Sequence, residues 1–261
     1  MKYNLEGMVL SWFVRFAFLI NLFESIYHKS TFLTHVKMVL VIVALYSHNI
    51  TGFTPPGIIK YKMFKKKTSD LESQHKYWNK YVSSRHGNIL YPPSAHWCSN
   101  YNAMVMRMDH YCPWTNNTIG LFNFKPFFLF TIYTFLACAC TLINSIYRER
   151  LCYVDITYCI RSKQLFYLSI TNLVIATFGF IFTFVMIFEC IKSIYYNAAY
   201  IDRLKKIQHE STRFLATFNL LMGRWFFVPI VYHDTVEHYF DMEINKTIEM
   251  LKKYDIYVES Y

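Results

Sequence analysis

The chain has 261 residues, 54% of them apolar and 20% aromatic, with only 17% charged. That balance excludes an ordinary soluble core and points to membrane spans. The net charge of +10 lies beside apolar runs rather than on a nucleic-acid reading motif, so it fits anionic lipid headgroups and membrane orientation, with no nucleic acid as partner. Seven cysteines without a C-x-x-C pair exclude a disulfide scaffold and a zinc ribbon.

Four stretches are long and apolar enough to cross a bilayer: Met8 to Ile26, Phe32 to Phe53, Phe127 to Tyr147 and Leu165 to Ile194. The first is read as a retained helix rather than a cleaved leader, because Arg15 interrupts it and no small-x-small site follows. The predicted fold is an all-α polytopic membrane protein with four transmembrane helices and a cysteine-motif loop between helices 2 and 3. Its pieces are helices 1 and 2 (1–53), a catalytic module (54–126), helices 3 and 4 with a short lumenal loop (127–194), and a tail with a membrane-associated segment (195–261).

Lysines 60, 62, 65, 66, 67, 76 and 80, with Arg85 and Arg107, crowd the connection between the second and third spans. The tail adds Arg203, Lys205, Lys206, Arg213 and Arg224, whereas the first connection holds only His28 and Lys29. The bias places both termini and the 54–126 loop in the cytosol. An endoplasmic reticulum or Golgi membrane is expected. Under this topology the sequons at Asn49, Asn116 and Asn245 stay unmodified. Cys152 and Cys159 fall on the lumenal side, where a disulfide between them is an open alternative to free thiols.

Inside the spans, Arg15, Asn21, Glu24, Lys37, Asn172 and Glu189 are polar or charged. Structural roles are expected for them, and Arg15 and Glu189 both fall towards the cytosolic side, where they could pair. In helix 3, Ala137-Cys138-Ala139-Cys140 permits close helix contact. In the tail, Phe214 to Val231 is strongly apolar, and Glu243 to Tyr257 has the spacing of a short amphipathic helix.

Asp109, His110 and Cys112 put a carboxylate, an imidazole and a thiol within four residues. The thiolate is the sulfur form that attacks carbonyls; an imidazole in reach takes the thiol proton, and a carboxylate beside it orients the ring and stabilises the imidazolium. Four such residues alone arise by chance, but the flanks extend the pattern. Pro92-Pro93, His96, Cys98 and Arg107-Met108 precede it, and Pro113-Trp114-Thr115-Asn116-Asn117, Gly120, Asn123 and Phe127 follow.

This ordered set resembles the DHHC family of integral-membrane protein S-acyltransferases, with tyrosine as third motif residue. The resemblance implies that Cys112 accepts a palmitoyl group from palmitoyl-CoA and passes it to cysteines of membrane-associated proteins, with His110 as general base and Asp109 as its orienting partner. It also implies an acyl chain lodged among the spans, which gives Ala137–Cys140 a second reading as room for the chain end. Thr54-Pro55-Pro56-Gly57 looks like the family's Asp-Pro-Gly turn with proline for aspartate.

The resemblance departs in two places. The family folds this segment around two zinc ions, and the ligand positions hold Ser84, Gly87, Trp97, Tyr101, Met104, Tyr111 and Thr118, with only Cys98 kept. Cys98 with His86 and His96 is too small a set for tetrahedral zinc, so no metal and no resident cofactor are expected, and packing of the large side chains is expected in their place. The family's Thr-Thr-x-Glu segment is likewise not found at Asn197-Ala198-Ala199. The alternatives to an acyltransferase are a weak or inactive scaffold of the same fold, motivated by these losses, and a small transporter, motivated by the intramembrane charges.

Overall fold

The computed structural model describes residues 4–27, 31–59, 61–63, 79–83, 87–92, 94–154, 166–207, 214–223, 226–229, 234–253 and 258–260. Its four long helices are α1 (Leu5–Tyr27), α2 (Phe32–Phe53), α3 (Phe124–Val154) and α4 (Phe166–Tyr195), each long and apolar enough to span a membrane. The chain is an integral membrane protein. Helix α2 starts where Thr31 Oγ1 accepts the Thr34 N–H at 3.2 Å, which satisfies one orphan donor of the first turn. Helix α3 outruns its expected end because neither glycine nor proline interrupts it before Val154. Its membrane-crossing part ends at Arg148.

Helix α2 packs along α3 and α3 along α4, while α1 closes against α2 and α4. Phe18, Val41, Ala44, Phe127, Phe130 and Ala137 belong to the shared core. Trp12, Phe16, Leu19, Val39, Ile42, Val174 and Ile181 face outward, an apolar girdle suited to lipid.

The intramembrane polar residues pair across helices. Glu24 of α1 is fully buried and binds Arg148 of α3, Lys37 of α2 at 3.6 Å, and the side chain of Asn172 of α4. Asn21 donates to Thr141 Oγ1 and to Asn172 Oδ1, both at 3.1 Å. One knot therefore ties all four spans. The Arg15–Glu189 pair does not form. Arg15 Nε donates to Asn49 Oδ1 at 3.0 Å, and Glu189 pairs with Lys192 at 2.7 Å and Arg203 at 2.6 Å. Lys192 lies one turn along the same helix, which brings its ammonium to Glu189 without any interhelical reach.

The segment between α2 and α3 is built on short antiparallel pairings, which the sequence reading did not assign. They are β2 (Asn79–Ser83) with β3 (Gly87–Tyr91), β4 (Ala95–Cys98) with β5 (Ala103–Met106), and β6 (His110–Cys112) with β7 (Asn117–Ile119). β1 (Tyr61–Met63) pairs with β8 (Val258–Ser260) near the end of the chain.

The tail forms α5 (Tyr200–Leu204), α6 (Phe214–Met222) and α7 (Asp234–Lys253). Helix α7 starts nine residues before the expected amphipathic helix, and its Val236, Tyr239, Phe240 and Ile244 pack on the core. The stretch after α6 meets α3: Phe226 packs on Phe128 at 6.3 Å, and Tyr133 donates its hydroxyl to Phe227 O at 2.5 Å. The Cys152–Cys159 alternative and the basic run 64–67 lie outside what the described residues and side chains reach.

Candidate active site

The exit from α2 sets the module's position. Gly57 has φ +97°, a left-handed turn that favours glycine, and the chain then runs beside β5, with Met106 N donating to Gly57 O at 2.9 Å and Ile59 N to Met104 O at 2.8 Å. Two asparagines fasten hairpin β6–β7 to the helix end, where carbonyls lack intrahelical partners. Asn117 Nδ2 donates to Thr51 O at 2.9 Å and Thr54 O at 2.8 Å, and Asn123 Nδ2 to Thr118 O at 2.8 Å. His48 of α2 donates from Nε2 to Trp114 O at 2.9 Å. A Cβ on Gly52 would stand 2.9 Å from Thr115 O, and one on Gly7 would clash with the Tyr111 hydroxyl. The starts of α1 and α3, the end of α2 and the module thus share one end of the bundle.

In that hairpin His110 and Cys112 are on β6, and Asp109 immediately precedes it. The structure brings the three together. His110 Nδ1 donates to Asp109 Oδ2 at 2.9 Å, and Cys112, two residues on in the same strand, is near enough for its side chain to act on the ring's titration. Burial alone would lower the pKa of this imidazole, but its bond to Asp109, the Cys112 side chain and the charges of both override that and push it up to about 10. The ring therefore favours the form it adopts after taking a sulfhydryl proton. Phe127 packs edge-on against it at 5.3 Å, and Cys112 is only 3% exposed.

Asp109 has a second partner. Its Oδ1 accepts the backbone N–H of Tyr200 at 2.7 Å, from the first turn of α5. That helix is held by Asp202, fully buried, whose carboxylate accepts from Ala199 N at 3.1 Å and from His96 Nε2 at 2.5 Å. Arg107 completes the seat by donating to Ser193 O at 3.0 Å and Asn197 Oδ1 at 2.9 Å, a cation at the carbonyl end of α4. Sequence reading missed Asp202 and named His96 only as a flanking motif residue and a candidate metal ligand. The readable signal was the acidic residue three places after Ala199: set on Ala199–Asp202, a Thr-Thr-x-Glu frame loses its hydroxyls and keeps an acid.

Below the hairpin, a cavity of ≈ 680 Å³, open mouth included, runs between the helices. Trp114, two residues after Cys112, lines it with Phe13, Phe18, Phe130, Cys138 and Gly179, and Asn21 of the polar knot also borders it. From Phe127, level with His110, to Cys138 is about 16 Å along α3. Ala137 and Cys138 both border this space and, with Gly179, mark the close approach of α3 and α4, where a Cβ on Gly179 would meet Cys138 Sγ at 3.0 Å.

These features define a four-helix membrane bundle that carries a carboxylate, an imidazole and a thiol on one short hairpin, with Trp114, two residues after Cys112, lining an apolar cavity between the helices. The family model described as DHHC palmitoyltransferase matches residues 79–207, and this stretch of the chain is of the DHHC family. Similar proteins include palmitoyltransferase pfa3 of Aspergillus fumigatus, 51% identical over 47 residues, which are 18% of this chain and 9% of that protein. Palmitoyltransferase ZDHHC2 of Homo sapiens is 42% identical over 50 residues, 19% of this chain and 14% of the relative. Palmitoyltransferase ZDHHC7 of Rattus norvegicus is 29% identical over 133 residues, 48% of this chain and 38% of the relative. The matched stretches thus cover well under half of each relative's own length.

The zinc implied by the family does not fit the side chains present. Cys98 Sγ is engaged with Thr118 Oγ1 at 3.0 Å, Tyr101 donates to Asn117 Oδ1 at 2.7 Å, and Met104 is buried in the core. Among the described residues no group of three His, Cys, Asp or Glu is placed to hold a metal ion.

Proposed function

We propose that the chain is a protein S-acyltransferase that moves a palmitoyl or similar long acyl group from acyl-coenzyme A to cysteines of membrane-associated proteins. The observation that carries this reading is the pairing of His110 with Asp109 beside Cys112, in a hairpin whose Trp114 lines the apolar cavity. In the first step the proton of the Cys112 sulfhydryl rests on His110 and the sulfur, as the thiolate, attacks the acyl carbonyl. The carbon–sulfur bond to coenzyme A breaks, its sulfur leaves with the proton from His110, and a Cys112 thioester remains. In the second step a substrate thiolate attacks that thioester and Cys112 leaves as the thiolate. Splitting one exchange between bulky partners into two keeps each within reach of the same sulfur.

The cavity supports a lipid-chain donor: each buried methylene contributes about 0.8 kcal/mol, while the coenzyme head stays in water. A cytosolic module, as the lysine bias predicts, would meet cytosolic acyl-coenzyme A, and an endoplasmic reticulum or Golgi membrane remains the expected location. The activity needs no resident metal in this account. Incubating the purified chain in detergent with radiolabelled palmitoyl-CoA tests it. Label that enters wild type, leaves with hydroxylamine and is missing from Cys112→Ser supports the enzyme. Equal label in both variants, or none in either, leaves the scaffold reading.

A further inference from the structure

Side chains standing where the family carries metal ligands have hydrogen-bond partners of their own. Cys98 ends β4 and Thr118 is the middle of β7; their side chains meet at 3.0 Å, both buried. Tyr101, in the turn of the β4–β5 hairpin, donates to Asn117 Oδ1 at 2.7 Å. Asn117 spends its amide on Thr51 and Thr54 carbonyls at the end of α2. Tyr111 on β6 donates to Asn116 Oδ1 at 3.0 Å, and both stand against Gly7 in the first turns of α1, where any Cβ would clash.

We propose that these hydroxyl and amide contacts are the joints that replace metal in this chain, coupling hairpin β4–β5 to hairpin β6–β7 and the latter to the first two spans. Two of the joints have the character the role requires. Burial pushes the Tyr101 phenol up to about 12 and raises that of Tyr111, so both remain donors across the working range. Asn117 is fully buried and all its side-chain groups are used, so it cannot turn away without leaving buried polar atoms unpaired. The joints also reach beyond the hairpins: Asn116 stands against α1 and Asn117 bonds the end of α2. The inference rests on family membership and the hydrogen bonds, not on the proposed activity.

The test uses the full chain purified in detergent, with zinc measured by mass spectrometry and thermal unfolding followed with and without a strong zinc chelator. The expected result is far less than one zinc per chain and a melting temperature that the chelator leaves unchanged. Tyr101→Phe and Thr118→Val each lower that temperature by about 2–4 °C for a chain of this size, and Thr118→Ser, which keeps the oxygen, does not. Stoichiometric zinc in the wild-type chain, or chelator-induced destabilisation, overturns the proposal. So does wild-type melting of both hydroxyl-deleted variants. Should Thr118→Val fail to fold, the metal content of the wild type and the normal melting of Thr118→Ser still decide. None of these readouts involves acyl transfer, so they hold their meaning if that reading fails.

Discussion

Asp109 accepts the backbone N–H of Tyr200 through Oδ1 at 2.7 Å while its other oxygen accepts from His110 Nδ1 at 2.9 Å. The first turn beyond the fourth span therefore aims the carboxylate that aims the ring. Asparagine puts an amide nitrogen where one of the two carboxylate oxygens stands, so one of these donors would face an N–H instead of an acceptor. Asp109→Asn is predicted to lower the single-turnover rate of self-acylation by about 10²–10⁴-fold, with acyl-coenzyme A binding unchanged. Rapid-quench measurement with labelled palmitoyl-CoA checks it, and a rate within a few-fold of wild type would contradict it.

The imidazole of His110 titrates at about 10 in the folded chain against an ordinary value of 6.5. The folded state therefore binds that proton more tightly than the unfolded one. The linked stabilisation is complete below about pH 6.5 and is lost as pH rises through about 10. The melting-temperature gap between wild type and His110→Gln is predicted to be widest near pH 6 and to close towards pH 10. A gap that widens with rising pH would refute the assignment of the proton to this ring.

Glu24 is the one carboxylate shared by Lys37 and Arg148 in the polar knot. Removing it strands two cations away from water, and breaking a buried pair costs about 3–5 kcal/mol. Glu24→Gln is predicted to lower stability on that order, whereas Lys37→Met, which leaves the Glu24–Arg148 pair in place, costs less. Thermal unfolding of the two variants in one detergent compares them directly; equal losses would contradict the ranking.

Gly179 leaves only 3.0 Å between a would-be Cβ and Cys138 Sγ beside the cavity. Gly179→Leu is predicted to fill that part of the space, reducing labelling from palmitoyl-CoA several-fold while donors with much shorter chains lose less. Competition between the two donors gives the ratio, and an unchanged ratio would mean that the chain lodges elsewhere.

The four spans were readable because lipid-length apolar runs leave little choice of structure, and α2 was placed to the residue. Asp109, His110 and Cys112 were readable because they are adjacent in sequence, so their meeting needs only local geometry. What was not legible came from long-range contact. Nothing in Glu24 alone says whether Lys37, Arg148 or solvent is its partner, and Arg15 was matched to Glu189 by depth when facing direction decides. The supports at Tyr200 and Asp202 lie some ninety residues beyond the motif, and the acid there was hidden by the loss of the neighbouring hydroxyls. The hairpins escaped because their strands are three to five residues long, too short for alternation to register.

The claim on which the rest depends is that the sulfur of Cys112 carries the acyl group. Intact-protein mass spectrometry of the purified chain after incubation with palmitoyl-CoA, followed by peptide mapping, reads this directly. The account predicts one added palmitoyl per chain, mapped to Cys112, lost on hydroxylamine treatment and formed much more slowly in His110→Ala. A chain that stays unmodified, or one modified at another cysteine with Cys112 free, would contradict it.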